Sequence, residues 1–444
     1  MSSGGGPRAA PAPARECAYT VLRRVFEHGA YADRAFHAQA RTLSGRDRAL
    51  AMRLAYGAVQ RRGTLDPLIE RLADRSARRL DAAVLAALRL GLYELLYLGG
   101  APARAVVADS VELAKRSGSR GHGLVNAALR RGAREGPAWL QGLGEETPAR
   151  AAILHSHPEW LARAWWEELG ADTARALMAH DNEPGEVALR VNTLRAQPAA
   201  VRGALPVAAH GDPALPEALV LDGPFDLQGS ELWSAGAITA QSRGAMLPAR
   251  VLAPRAGERV LDLCAAPGGK TTQLAALMGD SGEIVAVERN AARARALERT
   301  LRRMGARSVR LEVADAGAPR PDGAAFDRVL VDPPCSGLGV LQSRADLRWR
   351  VSPQSVDELA ALQARILRAG AGALRPGGVL VYSTCTISRT ENERQIASLL
   401  DGRRDLSLDD LGAELPGFRM GRNLLTLPHR DRTAGFFIAR VRRG

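Results

Sequence analysis

The stretch Arg259-Val-Leu-Asp-Leu-Cys-Ala-Ala-Pro-Gly-Gly-Lys-Thr271 decides the fold. Its first six residues are a short, mostly apolar run of the kind that fills a strand. The paired glycines make a turn, and a helix-forming segment to about Met278 follows. The same rhythm then recurs. Glu283 to Glu288 reads as a second strand, Ala291 to Met304 as a helix stopped by Gly305, and Val309 to Val313 as a third strand. Phe326 to Asp332 reads as a fourth strand, Val356 to Ala373 as a helix and Gly378 to Ser383 as a fifth strand. This alternation predicts an α/β domain over residues 240–444, a doubly wound and mostly parallel sheet with its site at the strands' C-terminal ends.

Upstream, the character of the chain changes twice. Residues 15–135 read as all-helical, because apolar residues recur at helical spacing from Ala18 to Phe26 and from Leu85 to Leu96. Val106 to Arg116 and Gly123 to Arg131 read as further amphipathic helices, and Gly132 to Gly144 as a glycine-rich linker. Residues 150–235 read as a small α+β module, with a tryptophan-rich helix after His157-Pro-Glu-Trp160 and a strand from Val187 to Thr193. The first fourteen residues, rich in Gly, Pro, Ala and Ser, read as a flexible tail rather than a signal peptide.

Composition narrows the class. The 444 residues predict two or three domains, and a hydrophobic fraction of 46% is enough for a sizeable core. The most apolar region, Ala82 to Ala108, is interrupted by Arg89, Glu94 and Arg104, so no membrane span or membrane partner is expected. Four cysteines without repeated spacing argue against a disulfide scaffold or a metal site and for a reducing cytoplasm. The net charge of +13 points to a polyanion. Residues 1–135 carry 23 basic and 12 acidic side chains, residues 136–250 carry 8 and 14, and residues 251–444 carry 30 and 22. Two basic modules thus flank an acidic one. Charge alone leaves solvated helix faces as good an explanation as nucleic acid. Only two of the 61 basic residues are lysines, Lys115 and Lys270, so a lysine inside the glycine turn calls for a reason.

The turn fits neither phosphate template. Cys264 replaces the first glycine of the phosphate loop and Pro267 removes a backbone donor, while the dinucleotide fingerprint is absent. What remains is Cys264-Ala265-Ala266-Pro267-Gly268-Gly269-Lys270, a turn that lets a ligand approach the backbone. Glu288 ends the next strand, where α/β domains place a carboxylate for ribose hydroxyls, and Asp315 follows the third strand. Together they suit an adenosine ligand without a triphosphate. S-adenosyl-L-methionine fits, with Lys270 available to its carboxylate.

Two thiols close strands at the same rim, Cys335 in Asp332-Pro-Pro-Cys335 and Cys385 in Ser383-Thr-Cys385. Carbon-5 of cytosine is too weak a nucleophile to take a methyl group from a sulfonium. A thiolate added to carbon-6 makes the ring enamine-like and activates carbon-5. The ring nitrogen then needs an acid, for which Asp332 is placed. Residue chemistry alone leaves open which thiol attacks. Cys17, inside an amphipathic helix, reads as a small core residue.

These residues carry a resemblance. LDLCAAPGGKT (261–271), VDPPCSGLGV (331–340) and YSTCT…ENE (382–393) resemble the motifs of the Sun, or RsmB-type, RNA cytosine-5 methyltransferases. Leu189–Arg195, Gln241 and the terminal His429…Gly435-Phe-Phe437 match the same family. Val107–Arg116 and Gly123–Arg131 are similar to the NusB antitermination fold. That combination resembles the bacterial enzymes of 16S ribosomal RNA. The resemblance implies a NusB-like RNA-binding domain, a ferredoxin-like middle module and a Rossmann-like methyltransferase domain. It implies that Cys385 attacks, that Cys335 assists product release, and that Cys264 to Lys270, Glu288, Asp315 and Asp332 contact the cofactor. It further implies small-subunit ribosomal RNA as partner, no DNA partner and a monomer. Methylation of tRNA or 23S RNA, or a non-catalytic role in ribosome assembly, are the alternatives. Two departures stand out. Ser242 sits where the family has Asp, and Arg432-Thr-Ala434 lengthens the spacing between Asp431 and Gly435.

Overall fold

The computed structural model describes residues 11–321, 323–414 and 418–444, which form two compact units. One holds the chain up to Glu183 together with Leu341–Arg350. The other holds Pro184–Val340 and Val351–Gly444.

The first unit is helical. Its central helix, Ala82–Tyr93, is apolar on nearly every side and buries Val84, Leu88, Leu90 and Leu92; Asp81 caps it by accepting from the Ala83 and Val84 amides. Burial of each such leucine stabilises the fold by about 1.5–3 kcal/mol. Arg89 lies inside this helix at 4% exposure and is neutralised by a two-pronged pair with Asp66, both contacts 2.7 Å. The linker expected over Gly132–Gly144 is instead helical, as part of His122–Gln141. The glycines serve packing there: a Cβ on Gly132 would stand 2.4 Å from Leu92, and one on Gly136 2.7 Å from Leu96. The expected tail is also shorter than fourteen residues. Residues 1–10 lie outside the described residues, but Pro13 opens a helix to His28 and Ala14 is fully buried.

Within residues 150–235 the helices and the strands fall in different compact units. Helices Pro148–Leu154, Glu159–Leu169 and Ala171–His180 belong to the helical unit. Ser156 donates to the Gln60 carbonyl at 2.7 Å and accepts from the Gly63 amide at 2.9 Å, and Gln60 donates to the Asp181 carbonyl at 2.6 Å. Leu341–Arg350 completes the same unit. Fully buried Arg348 donates to the carbonyls of Ser156 and Asp181, and Trp349 donates to the Val59 carbonyl at 2.7 Å. Burial pushes the Arg348 guanidinium down to about 10 and the Asp181 carboxyl up to about 7.

The second unit begins with a four-stranded antiparallel sheet: β1 (Ala188–Val191), β2 (Ala209–Asp212), β3 (Leu215–Leu221) and β4 (Ile238–Ala240), in the order β2-β3-β1-β4. A larger sheet follows, with β5 (Arg259–Leu263), β6 (Glu283–Val287), β7 (Val309–Glu312), β8 (Phe326–Val331) and β9 (Leu374–Thr384). Four more strands come after them: β10 (Leu406–Leu408), β11 (Arg419–Met420), β12 (Asn423–Leu425) and β13 (Phe437–Arg443). The order is β11-β12-β13-β9-β8-β5-β6-β7, with β10 paired to β13. β9, β8, β5, β6 and β7 run parallel, while β13 joins β9 antiparallel. Strand order reverses between β5 and β8, so a crevice opens beyond their C-terminal ends. Cys264 and Asp332 stand on its two lips.

Candidate active site

The turn after β5 is shaped by backbone that few residues accept. Gly268 has φ +103°, and a Cβ there would lie 2.6 Å from Leu297. The loop is pinned by the Ala265 amide on the Val287 carbonyl (2.9 Å), the Gly268 amide on the Ala265 carbonyl (2.9 Å) and Arg293 on the Ala266 carbonyl (2.6 Å). Beneath it, Thr271 donates to Asp262 at 2.7 Å, and burial pushes that carboxyl up to about 7.

Beside the turn lies a cleft of about 180 Å³. Cys264, Glu288 and Asp315 line it together with Pro334, Leu362 and Ile366. The two carboxylates are already oriented. Glu288, 5% exposed, accepts from the Asn290 amide at 2.8 Å, and Asp315 accepts from the Gly317 amide and from Arg365 at 2.9 and 2.7 Å. A planar heterocycle against the apolar wall with its sugar toward Glu288 suits this lining. Burial, then the nearby acids, push the Cys264 thiol up to about 12, so it is a wall and not a nucleophile.

Lys270 turns elsewhere. Its ammonium donates to Asp332 Oδ2 at 2.7 Å and lies 5.0 Å from the centre of the Phe436 ring. Burial lowers its pKa, but Asp332 and, more weakly, Cys385 raise it further, so the net direction is up. The other oxygen of Asp332 accepts from Ser383 at 2.9 Å. Next to this pair the two sulfurs meet: Cys335 Sγ is 3.3 Å from Cys385 Sγ. The hydrogen bond with Cys385, followed by burial, holds the Cys335 thiol well above its ordinary range.

Three distant segments are tied together around those sulfurs. Buried Glu391 accepts from the Ser336 amide (2.8 Å), the Ser336 hydroxyl (2.5 Å) and Gln363 (2.9 Å). The Gly339 amide donates to the Cys385 carbonyl at 3.0 Å, and the Gly435 amide to the Gly339 carbonyl at 2.7 Å. A Cβ on Gly339 would meet the Gly435 and Cys385 carbonyl oxygens at 2.2 and 2.9 Å. Sequence reasoning gave Glu391 no role; its only signal was its place in the ENE motif. Pro334 was marked only as part of VDPPCSGLGV, while Leu362, Ile366 and Gln363 carried no signal, being ordinary residues until the fold brings them to the cleft and to Glu391.

The four-stranded sheet holds the cofactor helix Gly269–Leu277 from behind. Fully buried Arg190 of β1 donates to Gln241 (2.8 Å), Thr272 (2.7 Å) and the Gly269 carbonyl (3.3 Å), and burial pushes it down to about 10. Both departures noted above find a physical reading here. Ser242 caps helix Arg243–Leu252 by accepting from the Ala245 amide at 3.3 Å, a task for which Ser and Asp are both suited. The extra residues Arg432–Ala434 dock on the same helix, with Thr433 accepting from the Gly244 amide at 3.0 Å and Arg243 donating to the Arg432 carbonyl at 2.8 Å.

Comparison with known proteins names this arrangement. Residues 249–442 match the family described as 16S rRNA methyltransferase RsmB/F, residues 12–134 the NusB family, and residues 157–228 the ferredoxin-like domain of RsmF/B-like methyltransferases. The "Probable ribosomal RNA small subunit methyltransferase B" of Synechocystis sp. is 36% identical, over 97% of this chain and 99% of its own.

The chain belongs to the RsmB/F methyltransferase family.

The protein of the same name from Bacillus subtilis is 33% identical over 97% and 98% of the two chains. The solved structure titled PH0851 superposes with a TM-score of 0.82, at 26% identity, covering 98% of this chain and all of that one. As a member of the RsmB/F family the chain takes its methyl group from S-adenosyl-L-methionine. Among the described residues, no helix of this RsmB/F methyltransferase is long and apolar enough to cross a membrane.

Proposed function

We propose that this protein methylates carbon-5 of a cytosine in 16S ribosomal RNA through a covalent bond between Cys385 and carbon-6 of the ring. The observation that carries this reading is the meeting of two thiols beside a lysine-bound carboxylate at the strand rim. The cofactor supplies an electrophilic methyl group. Glu288 and Asp315 hold its adenosine end, with the loop from Cys264 to Lys270 beneath it. Lys270 places positive charge near Cys385 and favours the thiolate that adds to carbon-6. Asp332, which accepts from both Lys270 and Ser383, passes to the ring nitrogen a proton drawn from the Lys270 ammonium as the thiolate adds. Cys335, kept as a thiol, assists the elimination that breaks the adduct and releases the product. Residues 15–135, with their excess of basic side chains, hold the RNA.

The test separates the thiols. Cys335→Ala should allow addition and methyl transfer but stall elimination, leaving a protein–RNA complex that survives denaturing electrophoresis. Replacing Cys385 as well should remove that complex. A stable adduct formed by Cys385→Ala and lost on replacing Cys335 would reverse the assignment. Mapping 5-methylcytosine in 16S RNA with and without the protein identifies the target base. Unchanged maps would remove this RNA as the substrate.

A further inference from the structure

The same sulfur pair has a chemistry that needs no RNA. β8 and β9 are parallel neighbours, with Val331 opposite Tyr382. Cys335 follows the first of these residues by four positions and Cys385 the second by three, so the strands deliver both thiols to one point. Glu391 fixes Ser336, next to Cys335, and the Gly339 amide fixes the carbonyl of Cys385. The sulfurs stand 3.3 Å apart as free thiols. A disulfide bond is about 2.05 Å, so closing one needs an approach of about 1.2 Å, within reach of side-chain rotation.

We propose that Cys335 and Cys385 form a reversible regulatory disulfide, with peroxide as the oxidant, that switches the methyltransferase off.

The steps balance. The Cys385 thiolate attacks one oxygen of hydrogen peroxide, forming a sulfenic acid and releasing hydroxide. Cys335 then attacks that sulfur. The sulfur–oxygen bond breaks, and the departing hydroxide takes the Cys335 proton as water. Two thiols and one peroxide give one disulfide and two waters. A dithiol reverses the bond through a mixed disulfide.

The pairing is asymmetric in the way this sequence requires. Lys270 favours the thiolate at Cys385, while Cys335 is held as the thiol that follows. The two remaining cysteines are poorly placed to compete. Cys17 is 8% exposed in the helical unit, and the Cys264 thiol is pushed up to about 12 by burial. An isolated thiolate at the same place would pass from sulfenic to irreversible sulfinic acid, which a neighbouring thiol prevents.

The experiment uses the full chain without RNA. The reduced protein is exposed to hydrogen peroxide, denatured, alkylated and digested without a reductant. The expected result is a fall from four alkylated thiols to two, with the peptides of Cys335 and Cys385 linked and both thiols restored by dithiothreitol. In the Cys335→Ser variant, peroxide should carry Cys385 to sulfinic acid, and dithiothreitol should restore nothing. The proposal falls if the wild-type protein shows unlinked, over-oxidised Cys385, or if the link involves Cys264. It also falls if Cys335→Ser resists over-oxidation as well as the wild type does. Methyl transfer to RNA, assayed separately on samples of the same protein, should vanish as the disulfide forms and return when dithiothreitol reduces it. Because the thiol count is read without any RNA, failure of the proposed RNA reaction would leave this result standing.

Discussion

The two halves of the rim are built differently. The half proposed for the cofactor is made from single side chains on successive strand ends: Cys264 after β5, Glu288 after β6, Asp315 after β7. Glu288 and Asp315 are each held by near neighbours in sequence, apart from the Asp315–Arg365 pair. The thiol half is made from residues 332–339, 383–392 and 435–436, joined by carboxylate and backbone bonds across 46 to 96 positions. A side chain in the first half contributes to an affinity. A residue in the second supports several partners at once, so loss there should spread.

The largest effect expected is that of Cys385→Ala, which should abolish methyl transfer while leaving cofactor affinity unchanged by calorimetry. A fall in affinity as large as that in activity would erase the distinction between the halves. Gly339→Ala comes next. Its Cβ cannot fit between two carbonyls, and overpacking of this kind costs roughly 1–3 kcal/mol. Chemical denaturation should show that loss together with a drop in turnover, although the residue is no thiol, acid or base. Wild-type turnover would mean the stitching around Gly339 is incidental. Glu288→Ala should weaken S-adenosyl-L-methionine binding by about 1–3 kcal/mol, the cost of leaving polar partners unpaired, and leave stability nearly untouched. Unchanged affinity would remove Glu288 from the site. The smallest effect belongs to Ser242. Ser242→Ala should cost about 1 kcal/mol as a lost helix cap, whereas Ser242→Asp should be close to neutral. If Asp at this position instead raised turnover several-fold, the acid would have a chemical role beyond capping.

The contrast also explains what the sequence disclosed. Strand-then-acid periodicity is a local signal, so Glu288 and Asp315 could be picked out by counting along the chain. That two thiols touch depends on β8 and β9 being neighbours, which no local pattern states; only the family motifs separated their roles. Lys270 was legible as unusual in an arginine-rich chain, but its partner Asp332 lies 62 positions away. Gly132 and Gly136 misled because glycine marks both a break and a tight contact, and only Leu92 and Leu96 on the facing segment distinguish the two. Residues 150–235 read as one module, and the ferredoxin-like match over residues 157–228 spans both its helices and its strands, yet the helices also pack on the helical unit. Their affiliation rests on buried polar contacts such as Ser156 with Gln60, 96 positions apart.

The ten residues Leu341–Arg350 carry a consequence for how the helical unit comes into being. Trp349 bonds to a carbonyl 290 positions earlier, and Arg350 to one 321 positions earlier. Contacts of such separation form late, because a long loop must close before they give any return. During synthesis the helices up to Glu183 can collapse early, but the carbonyls of Val59 and Ser156 wait for their donors Trp349 and Arg348 until residue 350 has emerged. A fragment ending at residue 183 therefore keeps every described α-helix of the unit and lacks its closing piece. Measured alone, it should behave as a looser body than the same helices in the whole chain.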